Sequence, residues 1–573
     1  MANVAQHFIA TLEANGVERI WGIAGDSLNG FTDALVGSTI EWMTVRHEEA
    51  GAFAAAAEAE VTGELAVVAG TAGPGNLHLI NGLFDAQRSR VPVLAIAAHI
   101  PSEEIGTGYF QETHPQELFR ECSVYVEHVS DVQQLPRVLT IAMRNAIEQR
   151  GVAVLVISGS MFLTQMPETP PELVRATASR ILPSAAELHQ AADVLNAAKK
   201  VTILAGAGVA GAHSELLEVA ELLQAPIVHA MRGKEHVEYD NPYDVGMTGL
   251  LGFASGYQAM WEADALFMVG TDLPYQQFYP EDIPVVQLDR RGEQIGKRVA
   301  VDVPLVGTTK DTLRELVPLL EPTKSSKHLK TMREHYEKTR SKLDKLAQPA
   351  RGSRAIHPQY LTRVLDEHAA QDAVFIPDVG SPVVYAARYV TSTQNRRIIG
   401  SFSHGSMANA MTMGMGAQAA FPQRQVIALS GDGGLGMLMG ELLTLRQHQL
   451  PVKVVVYNNS SLNFIELEMK ADGFVPFATE LDNPDYAKVA EAMGIWGQRV
   501  ERSSRLPKAV DEFLSHDGPA LLDVVTERQE LTIPPTITAQ QVKGFSLYAV
   551  RAVLSGQGSE LVDLARANLR RIL

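Results

Sequence analysis

Residues 426–459 read VIALSGDGGLGMLMGELLTLRQHQLPVKVVVYNN. They contain a short β-branched strand, a glycine turn, a helical pattern and a second strand that follows a proline. This order is typical of two parallel strands joined by a crossover helix. The same order recurs at residues 65–98 and 201–231. We therefore predict an α/β fold of three doubly wound parallel-sheet domains in series.

The boundaries of these domains follow from composition. Residues 166–172 are rich in Pro and Glu, and residues 327–354 form a charged helical stretch that ends in Pro and Gly. Both segments are typical of linkers. The predicted domains are residues 1–180, 181–345 and 355–535, followed by a C-terminal tail at residues 536–573.

The overall charge argues against one broad class of function. The chain of 573 residues has 49 Lys and Arg residues against 66 Asp and Glu residues, so its net charge is −17. A general nucleic-acid binder needs a basic face to meet the phosphate backbone. We therefore expect no nucleic-acid partner.

Cysteine content and hydropathy indicate the cellular compartment of the protein. The single cysteine, Cys122, excludes an intrachain disulfide framework and any cysteine-rich metal site. The N-terminal residues show no signal-peptide pattern, and the longest apolar runs are far shorter than the roughly 20 residues that span a bilayer. We expect a cytoplasmic protein that does not cross a membrane.

The strongest chemical signal lies at the ends of the two strands in residues 426–459. Asp432 follows the first strand within a Gly-Asp-Gly turn, and Asn459 follows the second strand. Both strand ends lie at the carboxyl edge of a parallel sheet, so we expect the two side chains to converge. Carboxylate and amide oxygens suit a divalent cation, and the N–H groups of a glycine turn suit an anion. The pair predicts a magnesium and diphosphate site; the alternative is a turn Asp beside an unrelated Asn.

The spacing of this turn to the Asn pair is the thiamine diphosphate fingerprint, and the whole chain resembles the pyruvate oxidase-like enzymes that use this cofactor. The resemblance is strongest to the quinone-linked branch of that family. It includes the segments RHEEAGAFAAAAEAE, GSFSHGSMANAM and KGFSLYAVRAVLSG. The matching segments lie at residues 20–30, 46–60, 73–86, 112–123, 232–250, 400–411, 431–440 and 543–556.

The resemblance implies a function as well as a fold. In chain order, the three domains would bind the pyrimidine of thiamine diphosphate, FAD, and the diphosphate together with Mg²⁺. The activity would be oxidative decarboxylation of pyruvate to acetate and CO₂, with electrons passed through FAD to ubiquinone or menaquinone. Enzymes that this chain resembles are homotetramers, and their active site lies between two subunits, so a dimer is the smallest active unit.

By the same resemblance, Glu48 is the carboxylic acid beside the cofactor pyrimidine, and it comes from one subunit while the Gly-Asp-Gly turn comes from the other. The alternative is a helix N-terminal Glu that interacts with the helix dipole. The choice of Glu48 over Glu49 rests on the family's register. The implied metal contacts are Asp432, Asn459 and the backbone oxygen of Ser461. The other implied thiamine diphosphate contacts are Gly405, Ser406, Met407, Gly433 and Gly434.

Three apolar residues also acquire roles from the resemblance. Met407 would press against the cofactor and hold it bent, although a Met in this pattern is more often plain core. Val379 and Phe464 would border the reaction centre and the route to the flavin. Without the resemblance, both would be assigned to the core.

The middle domain contains the pattern G-x-G-x-x-G at residues 206–211, between a strand and a helix. The match to a nicotinamide fold is weak because the next strand ends without an acidic residue for a ribose. The resemblance implies FAD instead, with Asp289 either a ribose or adenine contact or a helix cap. The implied FAD contacts are Gly208, Arg232, Thr248, Gly249, Leu250, Leu251, Gly252, Phe253, Thr271, Leu273, Pro274, Tyr275, Gln276, Gln277 and Asp289.

Residues 558–573 read GSELVDLARANLRRIL, with apolar residues along one helical stripe and three arginines nearby. In an acidic protein, a basic amphipathic helix is a candidate for binding an anionic lipid surface. The alternative is a helix packed on its own subunit. The resemblance favours lipid binding: the segment would shield the active site at rest and dock on the inner face of the cell membrane after flavin reduction, as in a peripheral membrane protein.

Other activities remain open. An acetohydroxyacid synthase typically has Arg-His-Glu-Gln where residues 46–49 of this chain read Arg-His-Glu-Glu, and it lacks the C-terminal tail. A phosphate- and oxygen-dependent pyruvate oxidase shares both cofactors. A membrane-surface protein without catalysis would lack Glu48 and the pair Asp432 and Asn459, all of which are present.

Overall fold

Three parallel sheets with helices on their faces follow one another along the chain. A computed structural model describes residues 2–167, 169–177, 179–323, 325–349 and 355–530, together with residues 547–549, 551–552, 561, 564 and 568. Within these residues each of the three main sheets has six strands. The predicted α/β fold of three doubly wound domains is confirmed, and the residue numbers of the domain boundaries stay predictions.

The first sheet consists of short runs rich in Val, Ile and Ala whose central strands are buried on both faces, as parallel sheets require. Its six strands are β2 (Arg19–Gly22), β3 (Glu41–Thr44), β4 (Ala66–Gly70), β5 (Val93–His99), β6 (Tyr125–Val129) and β7 (Val152–Ser158), and a separate two-stranded sheet consists of β1 (Ala2–Asn3) and β8 (Gln165–Met166). The helices are α1 (Val4–Ala14), α2 (Asn29–Leu35), α3 (Glu48–Thr62), α4 (Pro74–Ser89), α5 (Pro115–Leu118) and α6 (Leu135–Gln149). The parallel order is β3-β2-β4-β5-β7-β6, and β1 pairs antiparallel with β8.

The second sheet follows the same plan, with the order β11-β10-β9-β12-β13-β14. Its strands are β9 (Val201–Ala205), β10 (Ile227–His229), β11 (Asp244–Met247), β12 (Ala265–Val269), β13 (Val285–Asp289) and β14 (Val303–Val306). The helices are α7 (Ala185–Ala197), α8 (His213–Leu223), α9 (Lys234–Val237), α10 (Ala254–Trp261), α11 (Thr309–Leu316) and α12 (Lys327–Leu346), the last within the stretch predicted as a linker.

The third sheet has the order β16-β15-β17-β18-β20-β19. Its strands are β15 (Val374–Pro377), β16 (Arg397–Ile398), β17 (Val426–Gly431), β18 (Lys453–Asn458), β19 (Trp496–Val500) and β20 (Ala520–Val525). The helices are α13 (Pro358–His368), α14 (Ser381–Tyr389), α15 (Asn409–Ala420), α16 (Asp432–Leu438), α17 (Leu442–Gln447), α18 (Asn463–Ala471), α19 (Tyr486–Ala492) and α20 (Leu506–Ser515).

Close contact between α3 and α15 joins the first domain to the third. A Cβ atom at Gly416 would lie 1.8 Å from the carbonyl oxygen of Ala54, so only glycine allows this backbone approach. The surrounding side chains form one core that the two domains share. The contact brings two candidate site residues near the junction, because Glu48 begins α3 and Met407 lies just before α15.

The crossover after the Gly-Asp-Gly turn, which the sequence predicts as one helix, is broken in two. Helix α16 ends at Leu438 and α17 begins at Leu442, with a 3₁₀ turn between them. The glycine-rich sequence lowers helix propensity here. At the break, the Glu441 carboxylate accepts a hydrogen bond from the N–H of Arg46 at 3.0 Å. The third domain thereby contacts the segment that leads into α3.

The membrane predictions concern the C-terminal tail. Within the described parts of the chain, no helix combines the length and the apolar character that a bilayer span requires. Most of the tail predicted at residues 536–573, including its three last arginines, lies outside the described residues.

Candidate active site

The ends of β17 and β18 bring Asp432 and Asn459 together. Gly431 and Tyr457 are register partners in the parallel ladder, so the loops that follow them leave the sheet side by side. Oδ2 of Asp432 accepts hydrogen bonds from the backbone N–H groups of Asn459 at 3.0 Å and Ser460 at 2.7 Å. The carboxylate and the amide residue therefore lie at one edge of the sheet.

Asp432 is a buried carboxylate with only neutral hydrogen-bond donors around it. Its residue exposure is 3%, and its other hydrogen-bond donors are the neutral groups of Gly433 N–H and Asn483 Nδ2. Burial raises the pKa of Asp432, because the site disfavours an uncompensated negative charge. A divalent cation would remove that cost, so the residues present fit Mg²⁺.

The donor set also limits what kind of metal site this can be. Among the residues that the structure describes, no group of three or more His, Cys, Asp or Glu side chains could hold a metal ion. A site here must combine the Asp432 carboxylate with amide and backbone oxygens. Asn459 and Ser461 are adjacent in space, since Oδ1 of Asn459 accepts the N–H of Ser461 at 3.0 Å. Their roles as metal contacts stay predictions.

Two strained residues shape the loops of this site. Ser460 has φ +55° and Ala408 has φ +66°, a left-handed conformation that residues with a side chain rarely adopt. Ser460 turns the chain between Asn459 and Ser461, and Ala408 turns it directly after Met407. Such strain persists where the surrounding structure enforces it, commonly at ligand sites.

The Gly405-Ser406-Met407 loop lies against the Gly-Asp-Gly turn. Gly405 has φ +82°, and the N–H groups of Gly405 and Ser406 both donate to the hydroxyl of Ser401. A Cβ atom at Gly433 would lie 3.4 Å from Cε of Met407. The structure thus brings the predicted Met beside the predicted diphosphate turn. Gly434 is equally confined, since a Cβ atom there would lie 1.8 Å from Oδ2 of Asp378.

Glu48 begins α3 and is 5% exposed. Its Oε2 lies 2.9 Å from Nδ1 of His78, and its Oε1 lies 3.0 Å from the Cβ position of Gly75 at the start of α4. Glu49 faces a different partner: its Oε1 accepts a hydrogen bond from Asn81 at 2.7 Å. The two adjacent carboxylates therefore occupy distinct environments.

Asn81 links the acid-bearing helix to the Met407 loop within one chain. Its Nδ2 donates to Glu49 and also to the hydroxyl of Ser406 at 2.9 Å, and its Oδ1 lies 2.8 Å from Nε2 of His404. The start of α3 and the loop before α15 are thus neighbours in the single subunit. The assembly of the site from two subunits stays a prediction.

Val379 follows β15 and Phe464 follows β18, the two strands that flank β17, so both lie at the carboxyl edge of the third sheet. The N–H of Val379 donates to Oδ1 of both Asp378 and Asn409 at 3.2 Å, which fixes the turn before α14. Phe464 is the second residue of α18 and is half-buried. Their proposed contact with substrate or flavin stays a prediction.

Several residues of the site were not found by sequence reasoning. Asn483 donates to Asp432, and the hydroxyl of Tyr486 donates to the Asp432 carbonyl at 3.1 Å. Burial raises the pKa of Asp378 to about 7. Asn483 and Tyr486 come from the segment around the start of α19, Asp378 follows β15, and neither segment carries a periodic pattern. The first Asn of the doubled pair, Asn458, donates to the buried Asp523 and accepts a hydrogen bond from Asn483 at 3.1 Å.

The second sheet has a candidate cofactor site at its own carboxyl edge. Thr248 follows β11 and Thr271 follows β12, and their exposures are 2% and 4%. Neither Oγ1 atom has a hydrogen-bond partner within the described structure. Buried hydroxyls are rarely left unpaired, so these two fit the polar groups of a ligand such as FAD.

The other predicted FAD residues in the loops around these threonines differ in their packing and exposure. Gly208 packs on Gly270, where a Cβ atom would lie 2.6 Å from the Gly270 Cα, so its glycine is explained by loop contact. Gly249 has φ +91°, and a Cβ atom at Gly252 would lie 2.5 Å from the Met247 carbonyl. Phe253 and Leu273 are buried, Leu251 is half-buried, and Leu250, Pro274, Tyr275, Gln276 and Gln277 are exposed.

Asp289 and Arg232 have protein partners in this structure. Asp289 ends β13, and its Oδ1 accepts the N–H of Arg291 at 2.9 Å. Burial raises the pKa of Asp289 to about 6, and the positive charge of Arg90 opposes that rise. Arg232 reaches the first domain, donating to the Ser89 carbonyl at 2.9 Å. FAD contacts from these residues stay predictions.

Described residues of the tail contact the third domain at α18 and at the segment after β20. The ring of Tyr548 is fully buried, with Nζ of Lys470 5.4 Å from its centroid. Arg551 donates to the Gly473 carbonyl at 2.7 Å, and Asn568 donates to the Gln529 carbonyl at 2.8 Å. Tyr548 and Arg551 therefore pack at α18, the helix that carries Phe464, whereas Asn568 packs on the segment after β20.

Comparison with known proteins identifies the protein family to which these domains correspond. Three family models match in chain order, each for a domain of thiamine pyrophosphate enzymes. The N-terminal TPP binding domain matches residues 2–118, the central domain matches residues 188–316, and the C-terminal TPP binding domain matches residues 378–524.

Relatives match over nearly the whole chain. YdaP of Bacillus subtilis, described as a thiamine pyrophosphate-containing protein, is 36% identical over 98% of both chains. A pyruvate oxidase of Lactiplantibacillus plantarum is 29% identical over 90% of this chain and 87% of its own. The large subunit of acetolactate synthase isozyme 2 of Escherichia coli is 30% identical over 93% of this chain and 97% of its own. The chain belongs to the thiamine pyrophosphate-dependent enzyme family.

Proposed function

We propose that the protein decarboxylates pyruvate oxidatively to acetate and CO₂ and passes the electrons through FAD to a membrane quinone. The observation that carries this choice is the packing of tail residues Tyr548 and Arg551 at α18 and the contact of Asn568 with Gln529 after β20. That packing supports a C-terminal segment that shields the site at rest. The proposed enzyme is a cytoplasmic homotetramer that associates peripherally with the inner face of the membrane.

The chain's own residues would divide the work as follows. Glu48 would hold a proton beside the pyrimidine, and its burial next to His78 keeps the carboxyl group away from bulk water. Asp432, with Asn459 and the Ser461 carbonyl, would hold Mg²⁺ and the diphosphate at the edge of the sheet. Thiamine diphosphate, when bound, supplies the electron sink for loss of CO₂, and FAD accepts the two electrons.

Two apolar residues would control access to this centre. Val379 and Phe464 are both half-buried at the edge of the third domain. Apolar walls there would exclude water and suit the methyl group of pyruvate. Thr248 and Thr271 would donate or accept hydrogen bonds at the flavin, because their hydroxyls are otherwise unpaired.

The direct test is anaerobic flavin absorbance after addition of pyruvate, with and without thiamine diphosphate and Mg²⁺. We expect bleaching that requires both, and recovery of the oxidised spectrum when a quinone analogue is added in liposomes. Pyruvate consumption without bleaching would overturn the oxidase proposal.

A second candidate is carboligation, which the similarity to an acetolactate synthase favours. The same anaerobic reaction separates the two, since a carboligase would form acetolactate while the flavin stays oxidised. A phosphate- and oxygen-dependent oxidase, favoured by the similarity to a pyruvate oxidase, would instead form acetyl phosphate only when phosphate and oxygen are supplied.

Thr271→Val is expected to weaken FAD binding by about tenfold, because the exchange removes one buried hydroxyl while keeping the side-chain size. The measurement is the dissociation constant of FAD from quenching of its fluorescence. Thr312→Val is the matched control, since the Thr312 hydroxyl is also buried and unpaired within the described structure but faces Gly307, where a Cβ atom would lie 2.2 Å from its Oγ1. An equal change in the FAD dissociation constant for both exchanges would contradict a direct contact between Thr271 and FAD.

A chain that ends at Gly556 is expected to keep dye reduction by pyruvate but to lose most of its activation by anionic liposomes. The removed residues contain the apolar stripe and the basic residues proposed for lipid contact. Arg566, Arg570 and Arg571 replaced together by Gln should weaken binding to anionic vesicles and leave binding to zwitterionic vesicles unchanged. Undiminished liposome activation of the shortened chain would contradict the lipid proposal.

A further inference from the structure

A buried ion network lies directly behind the candidate metal site. Glu466 and Lys470 are one turn apart on α18, with exposures of 1% and 0%. Oε1 of Glu466 accepts a hydrogen bond from Nζ of Lys470 at 2.6 Å. Its Oε2 accepts hydrogen bonds from the Ser461 hydroxyl at 2.6 Å and from Nε of Arg528 at 3.0 Å. Both oxygens of one buried carboxylate are therefore engaged.

The network joins segments that are distant in sequence. Arg528 and Gln529 follow β20, and Oε1 of Gln529 accepts a second hydrogen bond from Nζ of Lys470 at 2.8 Å. The Arg528 carbonyl accepts Nδ2 of Asn463, the first residue of α18, at 2.6 Å. Glu466 thus ties the metal loop and α18 to the chain segment that leaves the sheet.

Ser461 connects this network to the other predicted metal residue. Its hydroxyl donates to Glu466, and its N–H donates to Oδ1 of Asn459. Ser461 is 3% exposed and pairs with Glu480 across an antiparallel bridge. With its hydroxyl, N–H and strand pairing all engaged, the direction of its carbonyl oxygen is set by these contacts.

Stability alone gives little reason for such a cluster. Taking Glu466 and Lys470 out of water is costly, and apolar residues of similar volume often serve a core equally well. Partners that orient metal ligands typically change metal affinity by about 10- to 100-fold when they are removed. The placement of Glu466 one hydrogen bond from Ser461 suits that second role.

We propose that Glu466 is a positioning residue that fixes the Ser461 backbone, and through it Asn459, in the geometry that binds Mg²⁺ with the diphosphate. This inference rests on the metal site of the proposed function. It assigns Glu466 no contact with substrate or cofactor, so its effect must be seen through the metal.

The test is the Mg²⁺ concentration needed for half-maximal binding of thiamine diphosphate to the full chain, followed by protein fluorescence or circular dichroism. We expect Glu466→Ala to raise that concentration about 10- to 100-fold. Ser461→Ala removes the hydroxyl but keeps the backbone, and it should shift the same concentration in the same direction. The double variant should be no worse than Glu466→Ala, because both changes break one link.

Asp366→Asn is the matched control. Asp366 is another carboxylate of the third domain in a short ion pair, with Nη1 of Arg396 at 2.6 Å from its Oδ1, but its partners hold the loop before β16. This exchange should lower the melting temperature without changing the Mg²⁺ requirement. If Glu466→Ala fails to fold, Glu466→Gln and Ser461→Ala provide the same comparison.

The outcomes separate the two proposals. A lower melting temperature with an unchanged Mg²⁺ requirement in Glu466→Ala, or in both Glu466→Gln and Ser461→Ala, would overturn the positioning role. Thiamine diphosphate binding that does not depend on Mg²⁺ in the unaltered protein would overturn the proposed metal site, and the inference with it. A raised requirement in the Glu466 and Ser461 variants alone supports the role.

Discussion

Replacing Glu48 by Gln is expected to abolish pyruvate-driven bleaching of the flavin, with a fall in rate of about 10³-fold. Gln keeps the size of the side chain but cannot supply the acidic proton proposed at the cofactor pyrimidine. Glu48 is buried and contacts His78, whereas the neighbouring Glu49 contacts Asn81 instead. The measurement is the anaerobic bleaching rate under saturating thiamine diphosphate and Mg²⁺.

Glu49→Gln is the control for that experiment, because it makes the same exchange one residue along α3. Glu49 accepts a hydrogen bond from Asn81 and is directed at a partner different from that of Glu48. We expect a change of less than about tenfold. FAD content should be unchanged in both variants, since neither residue lies in the second domain. Full bleaching in Glu48→Gln, or loss of bleaching in Glu49→Gln alone, would show that Glu48 is not the acid at the cofactor pyrimidine.

The three-sheet fold could be predicted because its signal is local. Each unit places a β-branched run, a glycine turn, a helical pattern and a further strand within a few dozen residues, and that order permits few other topologies. The meeting of Asp432 and Asn459 could be predicted for the same reason, since parallel neighbours end at one edge of a sheet. The break between α16 and α17 was not predicted, although the glycine-rich sequence disfavours one continuous helix, and Glu441 at the break contacts Arg46 from the first domain.

The rest of the candidate site depends on contacts between distant loops. Asn81 contacts Ser406, which lies 325 positions further along the chain. Asn483 reaches Asp432 from a loop with no periodic pattern. Choosing Glu48 over Glu49 likewise needed a family register, because two adjacent carboxylates at a helix start are equivalent to any rule based on spacing. The structure separates them by their partners, His78 and Asn81.

Asp432→Asn is expected to weaken Mg²⁺-dependent binding of thiamine diphosphate by at least about 100-fold, or roughly 2.7 kcal/mol. The buried carboxylate is held by neutral N–H donors, so it is the negative charge that a cation would meet at this edge. Asn also places an amide donor among groups that already donate, which disturbs the loop. The measurement is the dissociation constant of thiamine diphosphate at several Mg²⁺ concentrations.

Asp485→Asn is the matched control for this exchange. Asp485 caps α19 two residues beyond Asn483, where its carboxylate accepts the N–H of Lys488. It is thus a carboxylate near the site that holds no predicted metal contact, and its exchange should leave Mg²⁺ dependence unchanged.

The same site should show a pH dependence. Because burial raises the pKa of Asp432, protonation of its carboxylate should compete with Mg²⁺ binding. The Mg²⁺ concentration needed for thiamine diphosphate binding should therefore rise as the pH is lowered. That pH dependence should be lost in Asp432→Asn and kept in Asp485→Asn; equal Mg²⁺ requirements in the two variants would exclude Asp432 as the metal carboxylate.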